Sequence, residues 1–251
     1  MKGAPVVEPA AEPKDAGSWA HPVERLATTV IGAPDDAVTG RRAAGPVQGF
    51  GQMWQKTFRV RLDGVQSSRA VMAMWKDEFP TFWPKSAKFY APLAGIAPGE
   101  VALLDMKPIP GSPVRFSTGV LVIYADDESF TFMTPEGHIL SAWITFSTYE
   151  DGDVTVVQVQ ALERPSDPID ELGYMLGGNR LNSRFWEETL RTLARHVGTS
   201  DPVVETTVVC VDRQRQWRYV RNLRRSATIH SMMRTASAPG RWVAGLVRGR
   251  N

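Results

Sequence analysis

Few side chains in this sequence could carry out chemistry, and their spacing narrows the options. The histidines are His21, His138, His196 and His230, far apart along the chain, and Cys210 is the lone cysteine. No two of these sit at the short intervals from which one helix or loop ligates a metal, so no metal site is expected. There is no Gly-x-Ser-x-Gly elbow, phosphate loop or His-Glu-x-x-His, and no cofactor is expected. "GFGQMW" (49–54) lacks the third glycine of a dinucleotide fingerprint, and a strand follows it rather than preceding it.

His138 is the single catalytic candidate. It lies in "TFMTPEGHILSAWITF" (131–146), where an apolar run stops at Thr134-Pro135-Glu136-Gly137 and restarts. A histidine that titrates near neutrality can act as a general acid or base. The same position reads equally as a turn residue opening a strand. The carboxylates Asp126-Asp127-Glu128 and Glu150-Asp151-Asp153 fall at turn signals, where aspartate caps its own backbone, and read as solvated turns.

Aromatic residues are more informative. "EFPTFWPKSAKFYAPL" (78–93) gathers Phe82, Trp83 and Tyr90 with Phe79 and Phe89 in a proline-punctuated segment. Two readings stand: a lid over an apolar pocket, or core packing at a helix end. Phe116, Tyr124, Phe132, Trp143 and Phe146 lie on strands, and Gln158 and Gln160 share one strand face. A register slip of one residue exchanges the faces. If their face is concave, the glutamines are polar anchors in an apolar cavity; if convex, they are solvated.

The elements that must position these residues follow from periodicity. "WQKTFRVRL" (54–62), "VALLDMK" (101–107), "RFSTGVLVIY" (115–124), "SFTFMT" (129–134), "SAWITFST" (141–148) and "DVTVVQVQAL" (153–162) read as strands. The short turns ADDE, PEGH and YEDGD between the last four require antiparallel neighbours. "SSRAVMAMWKDEF" (67–79) has helical spacing after Ser67 or Ser68, and Pro80 stops it. A short helix is expected at 166–178, ended by Gly177-Gly178, and another around 21–32. The clearest helix is 179–198, with Leu181, Phe185, Trp186, Leu190, Leu193 and Val197 as its apolar stripe. Residues 1–46 read as weakly ordered, with a linker at 40–51.

This order of elements resembles the helix-grip fold of the Bet v 1/START superfamily, also called SRPBCC. "EGHILSAWITFSTYEDGDVTVVQVQALERPSDPIDELG" is similar to the bacterial group catalogued as domain of unknown function 1990. Gly137-His138, Phe146 and Arg164-Pro165 match its pattern. Trp143 and Ile144 stand where acidic residues are common there, and Glu163 replaces its serine. The likeness is clearest over about residues 130–196 and implies an α+β fold. Its curved antiparallel sheet, of about six or seven strands, would wrap a long C-terminal helix and leave an apolar cavity. It implies no particular chemistry, because members carry ligands, bind lipids or cyclise polyketides.

Charge is uneven. Net charge is +2, yet residues 213–251 hold ten arginines and no acids, which leaves 29 − 10 = 19 bases against 27 acids, or −8, over residues 1–212. In "DRQRQWRYVRNLRRSATIHSMMR" (212–234) a helix would gather Arg215, Arg218, Arg221 and Arg225 on one side. Such a helix suits the protein's own acidic body, a dimer partner, an anionic membrane surface or an acidic protein; nucleic acid is the least expected partner.

The expected organisation is an N-terminal arm and linker (1–49), a helix-grip ligand-binding domain (50–198) and an arginine-rich extension (199–251). The first functional reading is binding or carriage of a small apolar molecule, such as a lipid, polyketide or isoprenoid, in an internal cavity. The others are a cyclase or dehydratase of a polyketide-like intermediate using His138, and an interaction protein acting through its tail. Apolar runs fall short of the roughly 20 residues that cross a bilayer, and one cysteine allows no internal disulfide. A cytoplasmic location is expected, with peripheral attachment if the tail meets membrane.

Overall fold

In the computed structural model, residues 15–33, 37–64, 67–107 and 115–229 are described. They form one eight-stranded sheet in the order β2-β3-β4-β5-β6-β7-β1-β8. The strands are β1 (Met53–Arg61), β2 (Ala87–Tyr90), β3 (Val101–Met106), β4 (Phe116–Ala125), β5 (Ser129–Met133), β6 (Leu140–Asp151), β7 (Val154–Pro165) and β8 (Val204–Asp212). Every neighbouring pair is antiparallel. Helix α1 (Ser68–Asp77), α2 (Pro168–Gly173) and α3 (Asn179–His196) complete the frame. This is the expected helix-grip arrangement, with two strands more than the six read from periodicity.

Alternation assigns the faces. Phe58 and Val60 of β1, Phe130 and Phe132 of β5, Phe146 of β6 and Val157 and Val159 of β7 point inward to one core. Helix α3 meets that core through Trp186, Leu190, Leu193 and Ala194. Its outer face holds the Glu187–Arg191 ion pair at 3.1 Å. It ends as expected at Gly198, whose φ of +98° favours glycine.

Helix α1 inserts Trp75 into the hollow, and the 3-10 turn Phe79–Phe82 inserts Phe79. Trp75, Phe79, Phe82, Phe130 and Phe146 are all buried. Phe130 stacks on Phe146 at 4.6 Å between centroids, and Phe79 meets Phe146 at 5.1 Å. Trp75 and Trp186 each reach Phe146 at 5.4 Å. The expectation of an open space between sheet and helix is therefore corrected: large rings from three sides fill it.

The N-terminal segment also differs from expectation. Instead of a helix at 21–32 it runs extended along the outer face of β3 and β4, where Leu26 and Val38 are buried against Val101, Leu103 and Leu121. Trp19 bridges to Tyr124, and Ala43 to Pro135. Ala44 N–H donates to the Thr134 carbonyl at 2.7 Å, while the Thr134 hydroxyl donates back to the Ala44 carbonyl at 2.9 Å. Outward-facing valine and leucine on β3 and β4 need cover, and this segment supplies it. The glycine pair 177–178 does break the helical run, as expected. Gly177, at φ +132°, is non-helical, so a kink within Tyr174–Gly178 separates α2 from α3.

Leu26 tests whether this segment is integral. Leu26→Ala is expected to lower unfolding free energy by about 2–4 kcal/mol, the usual cost of emptying a buried leucine site. Urea denaturation followed by tryptophan fluorescence measures it.

Candidate functional site

Pro80 stops α1, the 3-10 turn reverses the chain, and β2 brings Phe89 back beside Phe79, at 5.0 Å between ring centroids. Between these pieces and the loop after β2 lies a half-open cleft of about 460 Å³. Met74, Phe79, Pro80, Phe89 and Ile96 line it, with Ala73 and Ala94 nearby. Lys76 and Asp77 are its charged members. Lys76 Nζ donates to the Asp126 carbonyl at 2.9 Å, which fixes the ammonium in place. The floor is thus the outer surface of the aromatic core, and the polar groups come from one helix turn.

The residues read from the sequence divide between the two faces. Phe82, Phe132 and Phe146 are inside the core, and Trp83 packs against Phe89 at 5.2 Å and Phe185 at 5.0 Å. Phe116 is buried at the start of β4, on the inward side by alternation. Tyr90, Tyr124, Trp143, Gln158 and Gln160 are on the outer face. Tyr90 packs with the Leu26 cluster, Tyr124 meets Trp19 at 4.7 Å, and Trp143 is 44% exposed. Gln158 Oε1 accepts from Arg59 Nε at 2.7 Å, and its amide donates to the Ser147 hydroxyl at 3.3 Å. The glutamines are therefore not anchors inside the cup: Val157, Val159 and Ala161 hold the inward positions of β7. The 78–93 segment, read as lid or core, supplies both the core ring Phe79 and the cleft wall.

His138 is buried in the link between β5 and β6. Its Nδ1 accepts from Leu140 N–H at 3.0 Å and stands 2.8 Å from the Leu140 carbonyl. Burial pushes its pKa down to about 4, the Leu140 hydrogen bond opposes this, and the Arg41 charge adds to it. The ring is neutral at pH 7, holds a turn, and is not among the cleft residues. Gly137 beside it sits at φ +84°, and a Cβ there would collide with Arg41 and the Arg225 carbonyl. The catalytic reading of His138 is corrected accordingly. The acidic turns are as expected: Asp126 Oδ1 accepts from Glu128 N–H and Ser129 N–H, and Asp151 pairs with Arg61.

Sequence reasoning missed a buried polar cluster. Lys56 and Glu163 have no exposed side-chain surface, and Lys56 Nζ lies 2.9 Å from Glu163 Oε1. Tyr174 OH donates to the same oxygen at 2.7 Å, and Lys56 donates to Asn182 Oδ1 at 2.7 Å and the Asn179 carbonyl at 3.3 Å. Glu163 Oε2 is buried without a hydrogen-bond partner among the described residues. Burial lowers the Lys56 pKa against the pull of Glu163, and burial together with Glu163 raises that of Tyr174. The one available signal was alternation, which puts Lys56 in phase with Phe58 and Glu163 in phase with Ala161.

The described part of the tail is not the expected amphipathic α-helix. β8 runs to Asp212, and Trp217–Arg225 is 3-10. Residues 230–234 of the expected helix lie outside the described residues. Arg215 pairs with Glu171 at 3.1 Å and Arg225 pairs with Glu136, so two of the four arginines read as a partner surface dock on this chain. Arg218 lies over the Tyr219 ring, and Arg221 is exposed. No helix among the described residues is long and apolar enough to cross a membrane.

No family model matches the chain, so the likeness to the domain-of-unknown-function 1990 group rests on the quoted residues alone. No curated protein matches it either. Solved structures with a similar arrangement include a START superfamily protein from Mycobacterium smegmatis, at 20% identity and TM-score 0.41, with 59% of this chain and 97% of that one covered. A major latex-like protein 151 from Panax ginseng has 11% identity and TM-score 0.39, covering 59% and 99%. The di-domain ARO/CYC StfQ from the steffimycin biosynthetic pathway has 12% identity and TM-score 0.42, covering 57% and 50%.

Two tests follow, one on His138 and one on the Lys56–Glu163 pair. The unfolded-state histidine has a pKa of 6.5 and the folded one about 4. Between those values the unfolded chain binds more protons, so stability is full above pH 6.5 and falls as pH drops. His138 alone is expected to remove about 3 kcal/mol by pH 4. Urea titrations of wild type and His138→Asn at pH 7 and pH 4 should differ by that acid-dependent part. Lys56→Met or Glu163→Leu alone strands a buried charge and is expected to cost about 3–5 kcal/mol, whereas the double substitution should cost less than either. Chemical denaturation of the three variants checks the order.

Proposed function

We propose that the protein binds a small apolar molecule in the cleft between α1 and β2. The observation that carries this reading is the cleft floor. Met74, Pro80 and Ile96 present apolar surface there, backed by the buried rings of Phe79 and Phe89, in a space of about 460 Å³, within the ordinary size range of small-molecule sites. The rings belong to the core, so the floor is rigid before a ligand arrives, and little ordering opposes binding. Lys76 and Asp77 give the site one polar end. A ligand with an apolar body and one hydrogen-bonding group fits that layout, which a lipid-like, polyketide-like or isoprenoid-like molecule satisfies. The site is beside the helix-grip core rather than within it, because rings occupy the interior.

Turnover finds no support in His138, whose Nδ1 is engaged by Leu140. The reading of the tail as the main functional surface is weakened by the attachment of Arg215 and Arg225 to the protein's own acids.

Ala94 is exposed and lines the cleft, so Ala94→Trp would block it without touching the core. An apolar fluorescent reporter such as anilinonaphthalene sulfonate is expected to bind the wild type and to be displaced by apolar competitors. The variant should bind it at least tenfold more weakly with an unchanged melting temperature. Equal reporter affinity in the two proteins would overturn the cleft assignment.

A further inference from the structure

Helix α2 and the turn after it bury one side and expose the other. Asp170, Glu171 and Tyr174 are buried, whereas Ile169, Leu172, Met175 and Leu176 face outward. Leu172 is 57% exposed, Met175 62% and Leu176 80%. Their spacing of three and four residues puts them on one helical face rather than scattering them. A Cβ added at Gly173, on the same face, would meet nothing within 4 Å. Beyond the kink at Gly177, Leu181 adds another exposed leucine in the first turn of α3. Contiguous apolar surface of this kind marks a place of contact. None of these residues lines the cleft between α1 and β2, so the two surfaces are separate.

The charges around this face have one sign. The acids of the stretch, Asp167, Asp170 and Glu171, are buried, so the exposed charges between residues 166 and 186 are Arg180 and Arg184. After β8 the chain returns beside α2. Arg215 donates to Glu171 at 3.1 Å and stands 3.5 Å from Met175 Sδ, and Asn222 donates to the Ser166 carbonyl at 2.9 Å. Arg213, Trp217, Arg218 and Arg221 are exposed on that returning stretch, which has no acid from 213 to 229. Arg180, Arg184, Arg213, Arg218 and Arg221 make no ion pair among the described residues.

We infer that the outward face of α2 docks on an anionic phospholipid bilayer, with Leu172, Met175 and Leu176 entering the interfacial layer and the arginines at its rim. Leu176 has four fifths of its surface exposed, so no wall stands beside it among the described residues. The face is an edge rather than a groove, and grooves are what peptide helices need. A fluid bilayer accepts such an edge without a matching shape. Leucine and methionine enter the boundary between headgroups and acyl chains, while guanidinium groups stay with the phosphates. An anionic surface attracts each arginine in addition.

Cosedimentation of the full chain with phosphatidylcholine vesicles, with and without phosphatidylglycerol, tests the inference. The wild type is expected to bind the anionic vesicles at least tenfold more strongly than the neutral ones, and less strongly as salt rises. Leu172→Ser together with Leu176→Ser should weaken that binding at least tenfold. The melting temperature should be unchanged, because neither side chain is part of the core. Arg180→Gln together with Arg184→Gln should narrow the preference for anionic over neutral vesicles. A wild type that binds neither kind of vesicle overturns the inference, and self-association through the same leucines in sedimentation velocity would then make the face a protein contact. Binding that survives the paired serine substitutions also overturns it, and assigns the attraction to the arginine-rich tail alone.

Discussion

The Phe130–Phe146 ring stack, wedged by Phe79 and Trp75 and capped by Trp186, is the contact on which the rest of the fold depends. Two strands, one helix, one 3-10 turn and the C-terminal helix all meet there. Ring pairs in such geometry contribute about 0.5–1.5 kcal/mol each beyond the area they bury. A curved sheet could have gripped α3 with aliphatic residues and left a hollow. Here α1 and its following turn enter the hollow and close it. The same wedge that closes the interior creates the cleft, because the chain must leave the core again at Pro80 and return as β2. Core packing and the location of the proposed binding site are thus one structural fact.

At the other end of α3, packing alone does not set the helix position. Lys56 reaches the Asn179 carbonyl and Asn182 Oδ1, three residues apart on one helical face, while Tyr174 and Lys56 share Glu163 Oε1. A buried ion pair of this kind contributes little net stability compared with apolar residues of equal volume. Its effect is selective. A rotated or shifted α3 would strand an ammonium and a carboxylate in the interior, so competing arrangements are penalised more than the native one is stabilised. Gly177, non-helical at φ +132°, kinks the chain between Tyr174, which bonds Glu163, and α3, which bonds Lys56.

The meander β4 to β7 was legible from the short turns between its strands, and the stripe of α3 because that helix has one wet and one dry face, so period and burial agree. Faces were not legible for Gln158, Gln160, Tyr124 and Trp143. The outer face is itself partly covered by the N-terminal segment, so aromatic residues occur on both sides and alternation loses its meaning. β8 was readable as a run of valine and threonine, yet its sequence position beyond the last helix suggested an extension. Lys56 and Glu163 carried the core phase with the wrong chemistry, and nothing local told which lysine would be dry. The cleft depended on how Pro80 aims the chain in three dimensions, which spacing does not encode.

The charge asymmetry also takes on a physical meaning from the segments that flank the sheet before β1 and after β8. Asn222 donates to both the Gln48 and Ser166 carbonyls, and Gln216 N–H donates to the Phe50 carbonyl. Arg164 joins Asp212 and the Gln214 carbonyl, and Thr228 donates to Asp170. The segment before β1 therefore lies between the sheet and the chain that follows β8. Burial and the neighbouring Asp167 raise the pKa of Asp170, and the Thr228 hydroxyl works against that shift. The acids that meet the tail, Glu136 and Glu171, cluster where the first and last segments cross, so the basic stretch is drawn to that crossing. Electrostatic attraction falls off over about 8–10 Å at physiological salt. It can select this docking place but not hold it. The hydrogen bonds from the Asn222 side-chain amide and the Gln216 N–H do the holding, and they tie the segment before β1 to the segment after β8.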